Sequence, residues 1–326
     1  MDWSETRVLL TGGTGTFGQA FARQLLERHS AARVRIFSRD EWKQQRMATE
    51  FTGEADRMEF FLGDVRDQAR LMEAGSGCDV WIHAAALKQI PACEAHPLEA
   101  FKTNLLGTAN LLQAAVSLKP RWVVCLSTDK AVQPTNVYGA SKMGAERLAV
   151  NASERIDPRT RVCLVRYGNV LGSRGSVIPE FLEQLRQGGA LAITDVRMTR
   201  FWIPQQAAVD FVLRAPAMAH GGEILIPKAR SLRLVDLAKV VAPTTPTETI
   251  GLRQGEKIHE MLLSEEESRR ALELDDHYVV LPRPPSPQQI ARFPGARSVP
   301  EGFRYTSDTN SAWWSPEDLR SLLPTD

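Results

Sequence analysis

The chain has 326 residues, 43% hydrophobic and 24% charged, with 40 basic and 39 acidic side chains and a formal net charge of +1. This is the balance of a globular protein rather than a disordered one. Near-neutrality leaves no electrostatic footprint for nucleic acid or an anionic membrane surface.

The length corresponds to about two domains of ~150 residues, or one large domain with a lobe. Apolar runs such as Ala84-Ala85-Ala86-Leu87 fall far short of the ~20 residues that a bilayer span needs. The opening Met1-Asp2-Trp3-Ser4-Glu5 has neither a basic nor an apolar signal region, so a cytoplasmic protein is expected. Cys78, Cys93, Cys125 and Cys163 form no CxxC and read as buried free thiols. The six histidines are scattered without zinc-ligand spacing, so no metal is expected.

In chain order, a strand is expected at 7–11, a helix from Gln19 to His29, a strand at 34–37, a polar helix from about Asp40 to Phe51, and a strand at 58–62. Further strands follow at 80–82, 122–126 and 162–165, with helical patterns near 98–118 and 139–152. Near-continuous apolar strands alternating with helices predict an α/β fold with a doubly wound parallel sheet covered on both faces. After about Asn169, glycines and Pro179 interrupt the pattern, and 281–300 is rich in Pro, Arg and Ser, as an irregular surface stretch. A nucleotide-binding domain over 1–168 is therefore expected. Residues 169–326 would form mainly a smaller substrate lobe, with part of 196–220 packing back on the first domain.

Directly after the first strand stands TGGTGTFG (11–18). Glycines 12, 15 and 18 permit a tight turn, close approach of backbone to a pyrophosphate, and close helix–strand packing, and the helix then offers free N–H groups. Gly12, Thr14, Gly15, Thr16, Phe17 and Gly18 are thus candidate cofactor contacts in a Rossmann-like domain. The second strand ends in Phe37-Ser38-Arg39-Asp40. An NAD enzyme usually places a carboxylate there for the ribose hydroxyl, whereas a guanidinium suits a 2′-phosphate. NADP is favoured, with Ser38, Arg39 and Lys43 as contacts; alternatively Arg39 points to solvent and Asp40 takes the ribose. Asp64-Val65 after the third strand either frames the adenine or forms an ordinary turn.

The strand ending at Leu126 is followed by Ser127-Thr128-Asp129-Lys130, and then by Tyr138-Gly139-Ala140-Ser141-Lys142. Tyr138 and Lys142, four apart, face one side of a helix. A nearby ammonium stabilises phenolate and would make the tyrosine a base near neutral pH. A hydroxyl ten residues upstream, Thr128, can hold the substrate oxygen.

These motifs, with HAAA at 83–86, resemble the extended short-chain dehydrogenase/reductases. More narrowly, the chain resembles the C5-inverting UDP-N-acetylglucosamine 4,6-dehydratases of pseudaminic acid biosynthesis. The matching segments are HAAALKQIP (83–91), KTNLLGTANLL (102–112), STDKAVQP (127–134), VRYGNVLGSRGSV (165–177), ITDVRMTRFWI (193–203), GLRQGEKIHE (251–260) and YTSDTN (305–310). They span nearly the whole chain.

The resemblance implies an NADP-dependent enzyme acting on a UDP-sugar, and a homo-oligomer. It also implies an ordered mechanism. Tyr138, assisted by Lys142 and Thr128, takes the C4 hydroxyl proton as hydride leaves C4. Lys130 removes the C5 proton, and Asp129 protonates the leaving C6 hydroxyl. Hydride returns to C6, and C5 is reprotonated from the opposite face. Related C5-retaining dehydratases tend to carry Asp-Glu where this chain has Asp129-Lys130. As a simple ion pair the two would titrate in the wrong directions for these roles, so desolvation or substrate must intervene. A C5-retaining dehydratase or a UDP-N-acetylhexosamine 4-epimerase is the alternative.

Arg174, Arg200 and Arg253 are candidate diphosphate and uridine ligands, since arginine forks match phosphate oxygens. The resemblance adds Asn169, Thr194 and Glu256 at the substrate. Ala84 and Lys88 follow the fourth strand, and Lys88 is expected near cofactor or sugar. His83 and His259, the latter on an expected helix, receive no role, and Trp202 reads as core. Gln254 and Gln89 stand where the family usually has Pro and His, which bears on substrate fit rather than chemistry.

Overall fold

The computed structural model describes residues 2–29, 32–172 and 177–322, save the side chain at 322. In the first half, strands β1 (Arg7–Thr11), β2 (Arg33–Ser38), β3 (Met58–Leu62), β4 (Val80–His83), β5 (Trp122–Thr128) and β6 (Arg161–Tyr167) alternate with helices. These are α1 (Thr16–Arg28), α2 (Glu41–Glu50), α3 (Gln68–Gly75), α4 (Ile90–Ala95), α5 (Pro97–Phe101), α6 (Gly107–Leu118) and α7 (Val137–Ser153), with a π-helical turn at Lys102–Leu106. Helix starts follow capping chemistry: Asp40, Asp67 and Asn136 each accept a backbone N–H of the following turn.

Then come β7 (Asn169–Val170), α8 (Val177–Arg186), β8 (Leu191–Ile193), β9 (Thr199–Ile203) and α9 (Gln205–Met218). They are followed by β10 (Ile224–Pro227), β11 (Arg230–Arg233), α10 (Leu234–Val241), β12 (Thr247–Thr249) and β13 (Met261–Leu263). Last come β14 (Ala271–Glu273), β15 (His277–Val280), β16 (Arg297–Ser298) and β17 (Tyr305–Thr306).

The central sheet has ten strands among the described residues, ordered β16-β14-β15-β10-β6-β5-β4-β1-β2-β3. From β3 to β10 all pairings are parallel, while β15, β14 and β16 add antiparallel strands at the far edge. Successive residues of one strand enter opposite layers. Val8 and Leu10 join Phe21, Val34 and Ile36 on one face, whereas Leu9 joins Trp81, Val123 and Leu111 on the other. Each fully buried side chain of this size contributes roughly 1.5–3 kcal/mol. The α/β doubly wound sheet is thus as the alternation of strand and helix predicts.

The second half divides between sheet and lobe. Helix α9 packs on α1, where Asp210 accepts from Gln24 and Arg28, and the Trp3 indole donates to Leu213 O at 3.1 Å. The lobe proper holds the β7-β9-β11 sheet, the β8-β12 pair and a separate core of Phe181, Leu191, Ile193, Trp202 and Leu237. Trp202 is therefore a core residue. The four cysteines are buried and free. Among the described residues no cluster could hold a metal ion, and no helix is long and apolar enough to cross a membrane.

Candidate active site

A cleft of about 680 Å³ opens at the carboxyl ends of β1, β4 and β5, between sheet and lobe. Strand order reverses beside β1, which is where open α/β sheets bind ligands. The glycine loop forms one wall. Gly12 has φ +68°, and a Cβ there would lie 2.8 Å from the Ala85 backbone. A Cβ on Gly18 would strike the backbone of Gly13. No side chain caps α1 at Gly15, so its first-turn N–H groups face the cleft together with Thr14, Thr16, Phe17 and Ala84. A nicotinamide dinucleotide fits this cradle, because the side-chain-free turn packs tightly on the Ala84–Ala85 backbone and on the start of α1, which leaves uncapped N–H groups at the cleft for a pyrophosphate. Gln205, not foreseen from sequence, ties α9 to the loop by donating to Thr16 O at 2.8 Å.

At the tip of β2, Asp40 spends its carboxylate locally. It caps α2 at the Lys43 N–H (3.0 Å) and pairs with Lys43 Nζ at 2.8 Å. Arg39 is exposed at the cleft rim, 3.8 Å from Asp64 Oδ2. Burial pushes the Asp64 carboxyl up, but Arg66 and Arg39 hold it below the usual range. Ser38 is steadied by Gln44 Nε2 at 3.1 Å. The Val65 side chain lies where a Cβ on Gly107 would go, and Asn110 holds its carbonyl at 3.1 Å. Lys88 lines the cleft.

The expected catalytic residues converge at the other end. β5 delivers Thr128, followed by the fully buried Asp129 and by Lys130. Lys130 Nζ lies 3.0 Å from Asp129 Oδ1, which also accepts from the Thr128 hydroxyl at 3.0 Å. Asn136 starts α7 by accepting from the Gly139 N–H at 2.8 Å and binds Gly255 O at 2.8 Å across the cleft. One turn on, the buried Lys142 donates to Leu126 O at 2.7 Å.

The electrostatics differ in one respect from the expectation for a Tyr/Lys pair. Burial pushes the Tyr138 phenol up to about 12, against the lowering effect of Lys130 and a hydrogen bond with Thr128. Lys130 is the cation that lowers it most. Lys142 is itself lowered, chiefly by burial. Burial raises the Asp129 carboxyl, as an acid requires, with Glu260 adding repulsion and Lys130 opposing. Burial would lower Lys130, but Asp129 and Glu260 hold its amine above the usual lysine range.

Glu260 is a site residue the sequence reading missed. It is 2% exposed and its Oε1 stands 3.2 Å from Lys130 Nζ. Lys257, also unforeseen, lines the cleft and donates to Val132 O at 2.6 Å. Asn104, on the π-helical turn, clamps Leu87 N and O at 2.8 Å each and donates to Ser141 Oγ at 2.9 Å. All three lie in the segments KTNLLGTANLL and GLRQGEKIHE, but no local pattern separates them from neighbours.

On the lobe side Asn169, Thr194, Arg200, Arg253 and Glu256 line the cleft. Asn169 Oδ1 is buried without a protein hydrogen-bond partner. Arg253 pairs with Glu180 at 3.0 Å, and its N–H donates to Glu256 at 3.4 Å. Arg200 is more committed than a free diphosphate ligand: it donates to Thr199 O (2.7 Å), Ile258 O and Lys257 O (both 3.0 Å). Arg174 lies outside the described residues. His259 sits in a loop rather than a helix, bonded to Thr199 Oγ1 at 2.8 Å. His83 bridges Thr11 (2.7 Å) and Thr108 (3.0 Å) in the core.

Known proteins resemble this chain in sequence and fold. The profile of the family described as polysaccharide biosynthesis protein matches residues 8–282. A Campylobacter jejuni UDP-N-acetylglucosamine 4,6-dehydratase (inverting) is 40% identical over 98% of both chains. A Rickettsia conorii protein named UDP-glucose 4-epimerase is also 40% identical, over 98% of this chain and 95% of its own. Among solved structures, Pen from Bacillus thuringiensis superposes with a TM-score of 0.89 at 35% identity, covering 99% of this chain and 98% of that one. DesIV, a dTDP-glucose 4,6-dehydratase from Streptomyces venezuelae solved with NAD, gives 0.70 at 25% identity over 78% and 87%. The chain belongs to the polysaccharide biosynthesis protein family, within the extended short-chain dehydrogenase/reductases.

Proposed function

We propose that the protein is an NADP-dependent UDP-N-acetylglucosamine 4,6-dehydratase that inverts C5. The observation that carries this reading is the buried Asp129–Lys130 pair, 3.0 Å apart, beside Tyr138 in the cleft that also holds the glycine loop. β-Elimination needs a base at C5 and an acid at C6, and two adjacent titratable groups at one strand end supply both.

NADP, held by the glycine loop with Arg39 and Lys43 toward its 2′-phosphate, supplies the hydride acceptor and a positive ring charge when bound. Tyr138 takes the proton of the C4 hydroxyl while Thr128 orients that oxygen. The C4 ketone acidifies C5–H, Lys130 removes that proton, and Asp129 protonates the departing C6 hydroxyl. Arg253, Asn169, Thr194 and Glu256 receive the nucleotide sugar from the lobe side, with Lys88 at its border with the cofactor.

The name of the Campylobacter relative supports this reading, and that of the Rickettsia relative supports a second, C4 epimerisation. An epimerase has no elimination to catalyse and leaves the Asp129–Lys130 pair without a task. Incubation with UDP-N-acetylglucosamine in deuterated water, followed by mass spectrometry and NMR, decides between them. Loss of one water with deuterium at an inverted C5 and a methyl at C6 is the expected result. The C4 epimer without water loss would move the protein to the epimerases.

A further inference from the structure

Four charges alternate through the base of the cleft: Asp129, Lys130 at 3.0 Å from it, Glu260 at 3.2 Å from Lys130, and Arg200 with its Nε 3.8 Å from Glu260. All are buried or nearly so, and together they are neutral. Glu260 is fixed from outside the nucleotide-binding core. Its N–H donates to Ser307 Oγ at 2.9 Å, its carbonyl accepts from the Ser307 N–H at 2.8 Å, and Ser307 in turn bonds Thr199 Oγ1 at 2.7 Å. The motifs GEKIHE and YTSDTN thus meet to hold one carboxylate against Lys130.

We propose that Glu260 is a positioning residue that keeps the mobile proton of this cluster shared between Lys130 and Asp129. The proposal rests on the dehydratase reading, in which Lys130 must be an amine and Asp129 an acid at the moment of elimination. A resting ammonium–carboxylate pair reaches that state by one transfer: an Nζ–H bond of Lys130 breaks and an Oδ1–H bond on Asp129 forms. Elimination then returns the C5 proton to Lys130 and sends the Asp129 proton out with the C6 hydroxyl, restoring the pair.

Glu260 decides that route. Loss of a proton from Lys130 to solvent would leave the fully buried Asp129 carboxylate without the cation in contact with it, which is costly, whereas transfer to Asp129 removes both charges together. Of the two carboxylates facing Lys130, Asp129 has that one cation in contact, and Lys257 acts on it less than on Glu260. Glu260 also faces Arg200, which does not deprotonate, and Lys257. Burial therefore leaves Asp129 raised, while Lys130, Arg200 and Lys257 outweigh burial at Glu260 and hold it below the carboxylate range. The proton accordingly goes to Asp129 and Glu260 stays charged.

The test is 13C NMR of the full-length protein labelled at Lys Cε and at Asp and Glu carboxyls, with Lys130→Met, Asp129→Asn and Glu260→Gln assigning the signals. In the wild type Asp129 is expected to titrate above Glu260; the reverse order overturns the proposal without any variant having to report function. Glu260→Gln is expected to lower the Lys130 midpoint by about one pH unit or more, the effect of one close opposite charge. Glu260→Asp, which keeps the charge, should retain most of it. An unmoved midpoint in Glu260→Gln overturns the proposal. If the wild type removes water from UDP-N-acetylglucosamine, Glu260→Gln should slow that step about 100-fold with KM little changed, and unchanged turnover also overturns it. If the wild type does not, the functional reading has failed, and the two titrations still decide the role of Glu260.

Discussion

The backbone carbonyl of Lys130 occupies the place that a side chain on Gly139 would need. This absent Cβ lets the first turn of α7 press against the turn that follows β5, which brings Tyr138 to Thr128 and Lys130. Gly139→Ala forces the two apart. Overpacking of this kind costs about 1–3 kcal/mol, and kcat should fall further than NADP affinity. Thermal denaturation, turnover and cofactor titration measure the three effects; a variant with wild-type kcat would show that Tyr138 does not depend on this contact.

His83 should make stability fall in mild acid. Burial, with the Lys142 charge, lowers its imidazole from 6.5 to about 3. Below pH 6.5 the unfolded chain binds a proton that the native state refuses, so stability is intact above that pH and is lost as pH falls toward 3. The contribution over the whole window is up to roughly 5 kcal/mol. Denaturant midpoints for wild type and His83→Gln between pH 7 and 4 should converge as pH falls. Parallel curves would mean that His83 protonates freely in the native state.

Arg39 should set cofactor preference. Because Asp40 is engaged with the start of α2 and with Lys43, the exposed guanidinium is the group at the β2 tip available to a 2′-phosphate. Losing one charge-assisted contact in Arg39→Ala should weaken NADP roughly 10- to 100-fold and leave NAD within about twofold. Equal weakening of both in fluorescence titrations would place the phosphate elsewhere.

Arg166, on β6, joins α7, the helix of Tyr138 and Lys142, to the segment between β13 and β14. It is 1% exposed and pairs with Glu146 at 2.7 Å and Glu267 at 2.8 Å, while Ser127 donates to Glu146 at 2.6 Å. Arg166→Met leaves the buried Glu146 without its cation and Glu267 with Arg270 at 3.7 Å, a loss of about 3–5 kcal/mol. Removing both carboxylates as well, in Arg166→Met/Glu146→Gln/Glu267→Gln, should recover part of it, with Arg270 then left without its carboxylate. Urea denaturation of the single and triple variants compares them, and a triple variant no more stable than the single would assign the loss to packing.

Much of this protein was legible in its sequence because the signals are local. Alternating apolar strands and helices predict the sheet, the glycine loop marks the cofactor crevice, and Thr128, Tyr138 and Lys142 are separated by spacings that a strand end and a helix turn into proximity. The resemblance carried by HAAALKQIP, STDKAVQP and GLRQGEKIHE is what singles out Asp129 and Lys130 for the proposed elimination.

What only the tertiary structure decided are the relationships between distant segments. Strands β14–β16 are short and pair antiparallel at the far sheet edge, so no periodicity marked them as part of the central sheet. Arg200 reads as a phosphate ligand by residue type, and only the fold shows that it also donates to Thr199 O and to the backbone carbonyls of Lys257 and Ile258, in a loop some 58 positions away. Glu260 looks like one more acid in a polar stretch until folding buries it beside Lys130. A charge acquires its role from the dielectric and the partners around it, and those are set by packing between segments that a linear pattern cannot bring together.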